Sequence, residues 1–176
     1  LILAANHPSL LDAGLITSRL PNAVCVMKAA LIDNLLFGAA ARLARYIRNN
    51  APLETILSAR EELRRGAHLV IFPEGTRTEH FPIGPCQKST GLIASRTTAP
   101  VQTLLIEFST PYLGKDWPLF QRPALPLTVS VRLGRRFAPP KDVTAFTQEL
   151  EAYFREKLEQ NSPSTATEQP LTGSPR

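Results

Sequence analysis

The sequence predicts an α/β domain in which a central, largely parallel (mixed) sheet is flanked by helices. Short apolar runs of strand length alternate with longer segments of helical periodicity, and strands that are separated by helices favour parallel pairing. The chain has 176 residues and is 43% hydrophobic, which suffices for one domain with a buried core. In sheets of this kind ligands bind beyond the carboxyl ends of the strands, so we expect the functional residues there.

The first half of the chain alternates between short strands and helices. An apolar run before Asn6 predicts the first strand, and the helix after it stops before Pro21, which cannot donate a backbone hydrogen bond. The predicted elements are the strands Leu1–Ala5, Ala23–Met27 and Arg45–Ile47 and the helices Ser9–Leu20, Ala29–Ala44 and Pro52–Arg65. Helical periodicity gives the last of these helices a predicted buried face of Leu53, Ile56, Leu57 and Leu63.

The second half of the chain predicts three further strands, two helices and a tail. The elements are the strands His68–Phe72, Val101–Phe108 and Leu127–Leu133 and the helices Ser89–Thr98 and Val143–Leu158. Residues 109–126 are rich in proline, which predicts an irregular connection. Asn161–Arg176 consists mainly of small and polar residues, so we expect one domain over residues 1–160 and a disordered tail over 161–176.

The composition excludes several classes of protein. Two cysteines are too few for a disulfide framework, and they lack the C-x-x-C spacing of a zinc ribbon. The net charge of +5 is compatible with nucleic acid, an anionic membrane or a phosphorylated substrate, but the few aromatic residues argue against nucleic acid. The sequence contains no run of about 18 apolar residues, so no membrane span is predicted in it. The chain starts without Met and within a strand, so we expect an N-terminally truncated fragment.

The first polar cluster follows the first predicted strand and contains His7 and Asp12. Pro8 suits the first position of a helix, which places His7 just outside that helix and Asp12 one turn inside it. A carboxylate there can reach back to one imidazole nitrogen and leave the other nitrogen as a base. This is the base and its orienting acid without a protein nucleophile. The alternative is that His7 caps the helix and Asp12 is an ordinary acid of its first turn.

The second polar cluster, Phe72–Arg77, follows the strand that begins at His68. Gly75 allows the backbone to approach a ligand closely, and Arg77 offers two parallel donors to a phosphate, with the Thr76 hydroxyl beside it. Glu74 is predicted either to accept a hydrogen bond from a substrate hydroxyl or to hold Arg77 in place. The alternative is a polar turn with a surface ion pair.

The two clusters together resemble the glycerolipid acyltransferase family, and in particular the 1-acyl-glycerol-3-phosphate (lysophosphatidic acid) acyltransferases. The resemblance rests on the motif from His7 to Asp12 followed by the hexapeptide Phe72–Arg77, and it covers roughly residues 1–135. Ala99–Val101 resembles the family's proline-led strand, and Arg45–Asn49 matches the family's second block only in part. The resemblance implies the family's fold and an acyltransferase domain over residues 1–160.

The resemblance also implies a reaction. His7, held by Asp12, would take the proton of the free hydroxyl of a lysophospholipid, and that oxygen would attack the thioester of acyl-CoA or of an acyl-carrier protein. Among lysophospholipids it favours 1-acyl-glycerol-3-phosphate, in phospholipid biosynthesis, and it requires no metal and no cofactor other than the acyl thioester. The substrate-binding residues that it implies are Lys28, Glu74, Gly75, Thr76 and Arg77.

The resemblance further implies a membrane-associated enzyme at the cytoplasmic face of the inner membrane. Arg42, Arg45 and Arg48 recur every third residue and could face lipid headgroups, although a solvated basic face fits the same pattern. Three alternative functions remain open: a thioester or lipid hydrolase in which His7 activates water, an acyltransferase for another lysolipid such as an ornithine lipid precursor, and a catalytically silent lipid-binding module.

Overall fold

A computed structural model describes residues 1–28, 46–49, 51–118 and 121–160 of the chain. The predictions for residues 29–44 and for the tail, 161–176, lie outside these described residues. The strands and helices, in chain order, are β1 (Ile2–Ala5), α1 (Asp12–Arg19), β2 (Ala23–Lys28), β3 (Ile47–Asn49), α2 (Pro52–Arg64), β4 (His68–Ile71), α3 (Ser89–Thr97), β5 (Val101–Phe108), β6 (Val129–Phe137) and α4 (Val143–Glu159).

The described strands form one six-stranded sheet in the order β3-β2-β4-β1-β5-β6. All neighbours are parallel except β5 and β6, which pair antiparallel at one edge. The prediction of a largely parallel, mixed sheet is therefore confirmed. Ala4 aligns with Ile71 in the register of β1 and β4, so these two central strands end side by side. The two predicted motifs follow these two strand ends.

Alternating side chains of the strands build a hydrophobic core on each face of the sheet. Leu69 and Ile71 point to one face, which is covered by side chains of α2, α3 and α4 such as Ala59, Ile93 and Phe154. Val70 points to the opposite face, where α1 contributes Ile16. Strands that are buried on both faces read as continuous apolar runs, which is why the sequence located them well.

Helix α1 begins at Asp12 and not at Ser9. The Ser9 N–H donates to Asp12 Oδ2 at 2.8 Å and the Leu11 N–H donates to Ser9 Oγ at 3.2 Å, so these residues form a hydrogen-bonded turn before the helix. The prediction that Asp12 lies one turn inside the helix is therefore wrong. Because the turn folds back, the carboxylate of Asp12 still faces His7.

The buried face of α2 differs from the predicted one. Leu53 and Leu57 are 69% and 56% exposed, whereas Thr55 and Ala59 are buried against the sheet and Glu62 lies on the same side. The prediction is wrong for the two leucines, because the helical spacing of apolar residues does not show how closely the helix approaches the sheet. Small side chains at Thr55 and Ala59 allow the helix axis to approach the sheet closely, which leaves the leucines at its outer side.

Strand β6 runs on to Phe137, beyond the predicted end at Leu133. Gly134 makes this possible, since a Cβ there would lie 2.5 Å from both Thr103 Oγ1 and Tyr153 Oη. The Thr103 hydroxyl donates to the Arg135 carbonyl at 2.8 Å, at a bulge where β6 has one residue more than β5. Gly134 is thus the point at which neighbouring side chains approach the backbone of β6.

None of the helices in the described part of the chain is long and apolar enough to cross a membrane.

Candidate active site

The two motif segments meet at the carboxyl ends of the central strands β1 and β4. The carbonyl of His7 accepts a hydrogen bond from the Thr78 N–H at 2.7 Å, and its N–H donates to Glu74 Oε1 at 3.1 Å. Both backbone groups of His7 are thus bound by the segment that follows β4. The structure brings the two predicted clusters together at the edge where parallel sheets bind ligands.

His7 and Asp12 form a hydrogen-bonded pair, with 2.9 Å between His7 Nδ1 and Asp12 Oδ2. The same carboxylate oxygen accepts from the Ser9 N–H, and the Asp12 side chain is fully buried. Because an ionised carboxylate only accepts hydrogen bonds, Nδ1 carries the ring proton and Nε2 keeps its lone pair. The predicted contact is present in the structure. That Nε2 acts as a catalytic base stays a prediction.

Burial dominates the electrostatics of Asp12. Removal from solvent raises the pKa of its carboxyl group, while hydrogen bonds from His7 and Ser9 act in the opposite direction. The second oxygen, Oδ1, is buried without a hydrogen-bond partner among the residues that the structure describes. The contact with His7 is therefore one of the few interactions that keep a charged carboxylate at this position.

An aromatic stack fixes the plane of the His7 ring. The ring of Phe72 lies parallel to the imidazole, with the centroids 3.9 Å apart and 17° between the planes. Phe72 is buried and covers one face of the ring, while the side chain of His7 remains 17% exposed. The sequence had placed Phe72 in the motif without giving it a function. The available signal was an aromatic residue at the end of the predicted strand His68–Phe72.

Asn6, the first residue of the polar cluster, fixes the end of β1, a role that the sequence did not assign to it. Its side-chain amide donates to the Ile106 carbonyl and accepts from the Ile106 N–H, both at 2.8 Å. Asn6 is 3% exposed and thus supplies a backbone-like pair of hydrogen bonds where β1 leaves the sheet. This pair holds the residue before His7 against β5. The signal in the sequence was an asparagine between the apolar first strand and His7.

The structure contradicts one of the two roles predicted for Glu74, the contact with Arg77. It is 5% exposed, and its oxygens accept from His7 N–H and the Thr78 hydroxyl (Oε1) and from the Gly84 N–H at 2.8 Å (Oε2). Neither oxygen contacts Arg77 within the described residues, so the prediction that Glu74 holds Arg77 is wrong. Burial raises the pKa of Glu74, against these hydrogen bonds. Backbone donors satisfy this carboxylate better than a neighbouring guanidinium could in the same turn.

The turn between Glu74 and Arg77 requires glycine. Gly75 has φ +67°, a left-handed conformation that glycine adopts without strain, and its N–H donates to the Phe72 carbonyl at 2.9 Å. Thr76, the next residue, is exposed. The turn therefore presents Thr76 to solvent at the mouth of the site, where its predicted contact with substrate stays a prediction.

Arg77 binds a second loop. Its Nη1 donates to the carbonyls of Leu113 and Gly114 at 3.1 and 2.6 Å, and the Leu113 carbonyl also accepts from the Leu10 N–H. The loop after β5 is thus tied to both motif segments, which the sequence did not predict because irregular loops carry no periodic pattern. The other nitrogens of the Arg77 guanidinium make no hydrogen bond to the described residues, which leaves donors for an anion.

Two further predictions concern Lys28 and metal binding. Lys28 ends β2, the neighbour of β4 in the sheet, so its backbone lies at the same edge as the motifs. The contacts of its side chain lie outside what the structure describes, and its predicted role stays a prediction. Within the described residues, no three His, Cys, Asp or Glu side chains are grouped to hold a metal ion.

Comparisons with known proteins agree with this geometry. A family described as Acyltransferase matches residues 1–107. A 1-acyl-sn-glycerol-3-phosphate acyltransferase from Cocos nucifera is 33% identical over 135 residues, which are 73% of this chain and 43% of that protein. The crystal structure of the 1-acyl-sn-glycerophosphate (LPA) acyltransferase PlsC from Thermotoga maritima is similar at a TM-score of 0.68 and 22% identity, over 90% of this chain and 65% of that one. The chain thus spans less than two thirds of either protein.

Proposed function

This chain belongs to the acyltransferase family, and on that premise we propose that it transfers a fatty acyl group from a thioester to the free hydroxyl of a lysophospholipid. The observation that carries the proposal is the pair of His7 and Asp12, 2.9 Å apart at the end of a central strand. The pair supplies a base and its orienting acid. Within the described residues no Ser, Thr or Cys side chain is hydrogen-bonded to the His7 ring, so the nucleophile of the proposed reaction is the substrate's own hydroxyl.

The reaction needs one proton carrier. His7 Nε2 takes the hydroxyl proton as the oxygen forms a bond to the thioester carbonyl carbon, and Asp12 stabilises the imidazolium that results. The tetrahedral intermediate then collapses, the carbon–sulfur bond breaks, and the imidazolium returns the proton to the departing thiolate. The products are an ester and a free thiol, and the enzyme regains its starting protonation state.

The proposed acceptor is 1-acyl-glycerol-3-phosphate. Its phosphate would bind the Arg77 guanidinium beside the Thr76 hydroxyl, with Lys28 as a further cation. The Cocos nucifera relative, a 1-acyl-sn-glycerol-3-phosphate acyltransferase, supports this choice. The donor is acyl-CoA or an acylated acyl-carrier protein, both of which carry the thioester that the acceptor hydroxyl attacks.

Product analysis tests this function directly. The full chain is incubated with an acyl-CoA or acyl-carrier protein, with and without 1-acyl-glycerol-3-phosphate, and thiol release and lipid products are measured. We expect thiol release that depends on the acceptor and equals the diacyl product formed. Equal thiol release without acceptor, with free fatty acid as the product, would instead identify a hydrolase.

We predict that Arg77→Ala raises the acceptor KM far more than the KM of the thioester donor. Arg77→Lys should restore the acceptor KM only in part, because an ammonium cannot form two parallel hydrogen bonds to a phosphate. Two-substrate kinetics measure both constants. Arg96→Ala, an exposed arginine of α3, is the matched control and should change neither. Equal effects on donor and acceptor would contradict the assignment.

We also propose that the enzyme acts at an anionic membrane surface, on the cytoplasmic face of the inner membrane. Arg42, Arg45 and Arg48 supply the cations, each contributing roughly 1 kcal/mol near anionic lipid. Replacing all three by Gln should lower binding to anionic vesicles at low ionic strength and leave binding to neutral vesicles unchanged. Cosedimentation measures this.

The control for that experiment removes the same charge elsewhere. Arg60 and Arg64 lie on α2, and Arg65 follows its last residue. All three are exposed, and Arg64 and Arg65 form ion pairs at this end of the helix. That end of α2 precedes β4, so it lies at the sheet edge opposite the candidate site. Replacing these three by Gln should leave vesicle binding unaltered. An equal loss in both triple variants would indicate attraction by net charge alone.

A further inference from the structure

The carboxylate of Glu74 is bound on every side by protein donors. Its Oε1 accepts from the His7 N–H at 3.1 Å and from the Thr78 hydroxyl at 2.7 Å, while Oε2 accepts from the Gly84 N–H at 2.8 Å. The side chain is 5% exposed, and a Cβ on Gly84 would lie 3.0 Å from Oε2. A carboxylate so enclosed has little surface left for a substrate.

The contact with His7 is made to its backbone, which distinguishes Glu74 from Asp12. Asp12 holds the imidazole through Nδ1, whereas Glu74 holds the peptide that carries the side chain. The Thr78 N–H binds the carbonyl of the same residue at 2.7 Å. The segment after β4 therefore fixes the position of the His7 backbone from both of its polar groups.

We propose that Glu74 is a positioning residue that acts on the reaction through the main chain of His7, and that it does not contact the acceptor. This inference rests on the proposed function, since it requires His7 to be the base. A base must lie within hydrogen-bond reach of the proton that it removes. A shift of about 1 Å in its position can lower the rate by about 10²-fold, and Glu74 is placed to prevent that shift.

The two possible roles of Glu74 predict different kinetics. A positioning residue affects the chemical step, so its loss lowers kcat and leaves the acceptor KM unchanged. A residue that binds the acceptor equally in ground and transition states affects KM instead. The experiment therefore measures kcat and the acceptor KM for Glu74→Ala and Glu74→Gln, with the near-ultraviolet circular dichroism spectrum of each variant as the check on folding.

We expect Glu74→Ala to lower kcat by about 10²-fold with the acceptor KM unchanged. Glu74→Gln should retain more activity, because its amide oxygen can still accept from His7 N–H and the Thr78 hydroxyl. The rescue should be partial, because the NH2 group cannot accept from the Gly84 N–H. Partial rescue by glutamine, which is uncharged and equally long, would show that Glu74 acts through hydrogen bonds and not through its charge.

Thr78→Val keeps the inference testable if Glu74→Ala does not fold. This variant removes the hydroxyl that orients Oε1 and keeps the backbone N–H that binds the His7 carbonyl. It should lower kcat less than Glu74→Ala, again without a change in acceptor KM. Thr97→Val is the matched control, since it also removes a hydroxyl hydrogen bond, within α3, and should leave kcat unchanged.

A combined variant separates the two proposals. If Glu74 acts only through His7, adding Glu74→Gln to His7→Asn lowers the residual kcat no further than His7→Asn alone. An acceptor KM that rises in Glu74→Gln with kcat unchanged, or a further loss in the combined variant, would overturn the positioning role and leave the proposed function intact. Normal turnover in His7→Asn would instead overturn the proposed function itself.

Discussion

The variant His7→Ala is expected to lose acyl transfer while the protein stays folded. Removal of a general base commonly lowers a rate by about 10²–10⁴-fold. The side chain is 17% exposed at the rim of the core, so its loss opens little buried apolar volume. The measurement is kcat with saturating thioester and acceptor, together with the thermal midpoint of unfolding.

Two further variants make this test specific. His7→Asn places an amide nitrogen near the position of Nδ1, so it retains a donor for the buried carboxylate of Asp12 but has no base. It should be as inactive as His7→Ala and at least as stable. His80→Ala, at an exposed loop position, is the matched control and should keep full activity. Near-normal turnover in either His7 variant would remove the catalytic assignment.

The second large effect is expected for Asp12→Asn, which should lower kcat nearly as far as His7→Ala. Asp12 Oδ2 accepts from both His7 Nδ1 and the Ser9 N–H. If the asparagine oxygen occupies that position, both hydrogen bonds remain, but the charge that stabilises the imidazolium is lost. If its NH2 group occupies the position, it faces the Ser9 N–H and favours the tautomer with the proton on Nε2, which cannot act as a base.

The control for this test is another aspartate at a helix start. Asp142 caps α4 by accepting from the N–H groups of Thr144 and Ala145 at 2.8 and 3.0 Å. Asparagine caps a helix about as well as aspartate does, so Asp142→Asn should change neither activity nor stability measurably. If Asp12→Asn keeps normal kcat, its carboxylate is not required to orient or stabilise the base.

Together, these contacts give Asp12, Phe72 and Glu74 different parts in holding the same histidine. Asp12 sets which nitrogen carries the proton, and Phe72 fixes the plane of the ring. Glu74 and Thr78 fix the backbone of His7. Arg77 is tied to the loop at Leu113 and Gly114 and retains donors for an anion. A base that is fixed in position and orientation has little freedom to lose when the reaction begins.

Much of the fold could be predicted from the sequence alone. The strands β1 and β4 are buried on both faces, so each appears as an uninterrupted apolar run, and the parallel pairing follows from the helices between strands. The candidate base and acid were likewise identifiable, because His7 and Asp12 are close in the chain and follow a strand directly. Local spacing is sufficient for contacts of this kind.

The tertiary structure decided the features that depend on contacts between distant segments. The exposure of Leu53 and Leu57 follows from how closely α2 approaches the sheet. Small residues allow this approach, and the spacing of apolar residues along the helix does not reveal it. The contacts of Glu74 likewise depend on the tertiary structure. Its position suggested a partner in its own turn, but its hydrogen bonds also reach His7, 67 positions away in the chain. Such a contact exists only because β1 and β4 pair in register, and pairing partners are not encoded in the local pattern of either strand.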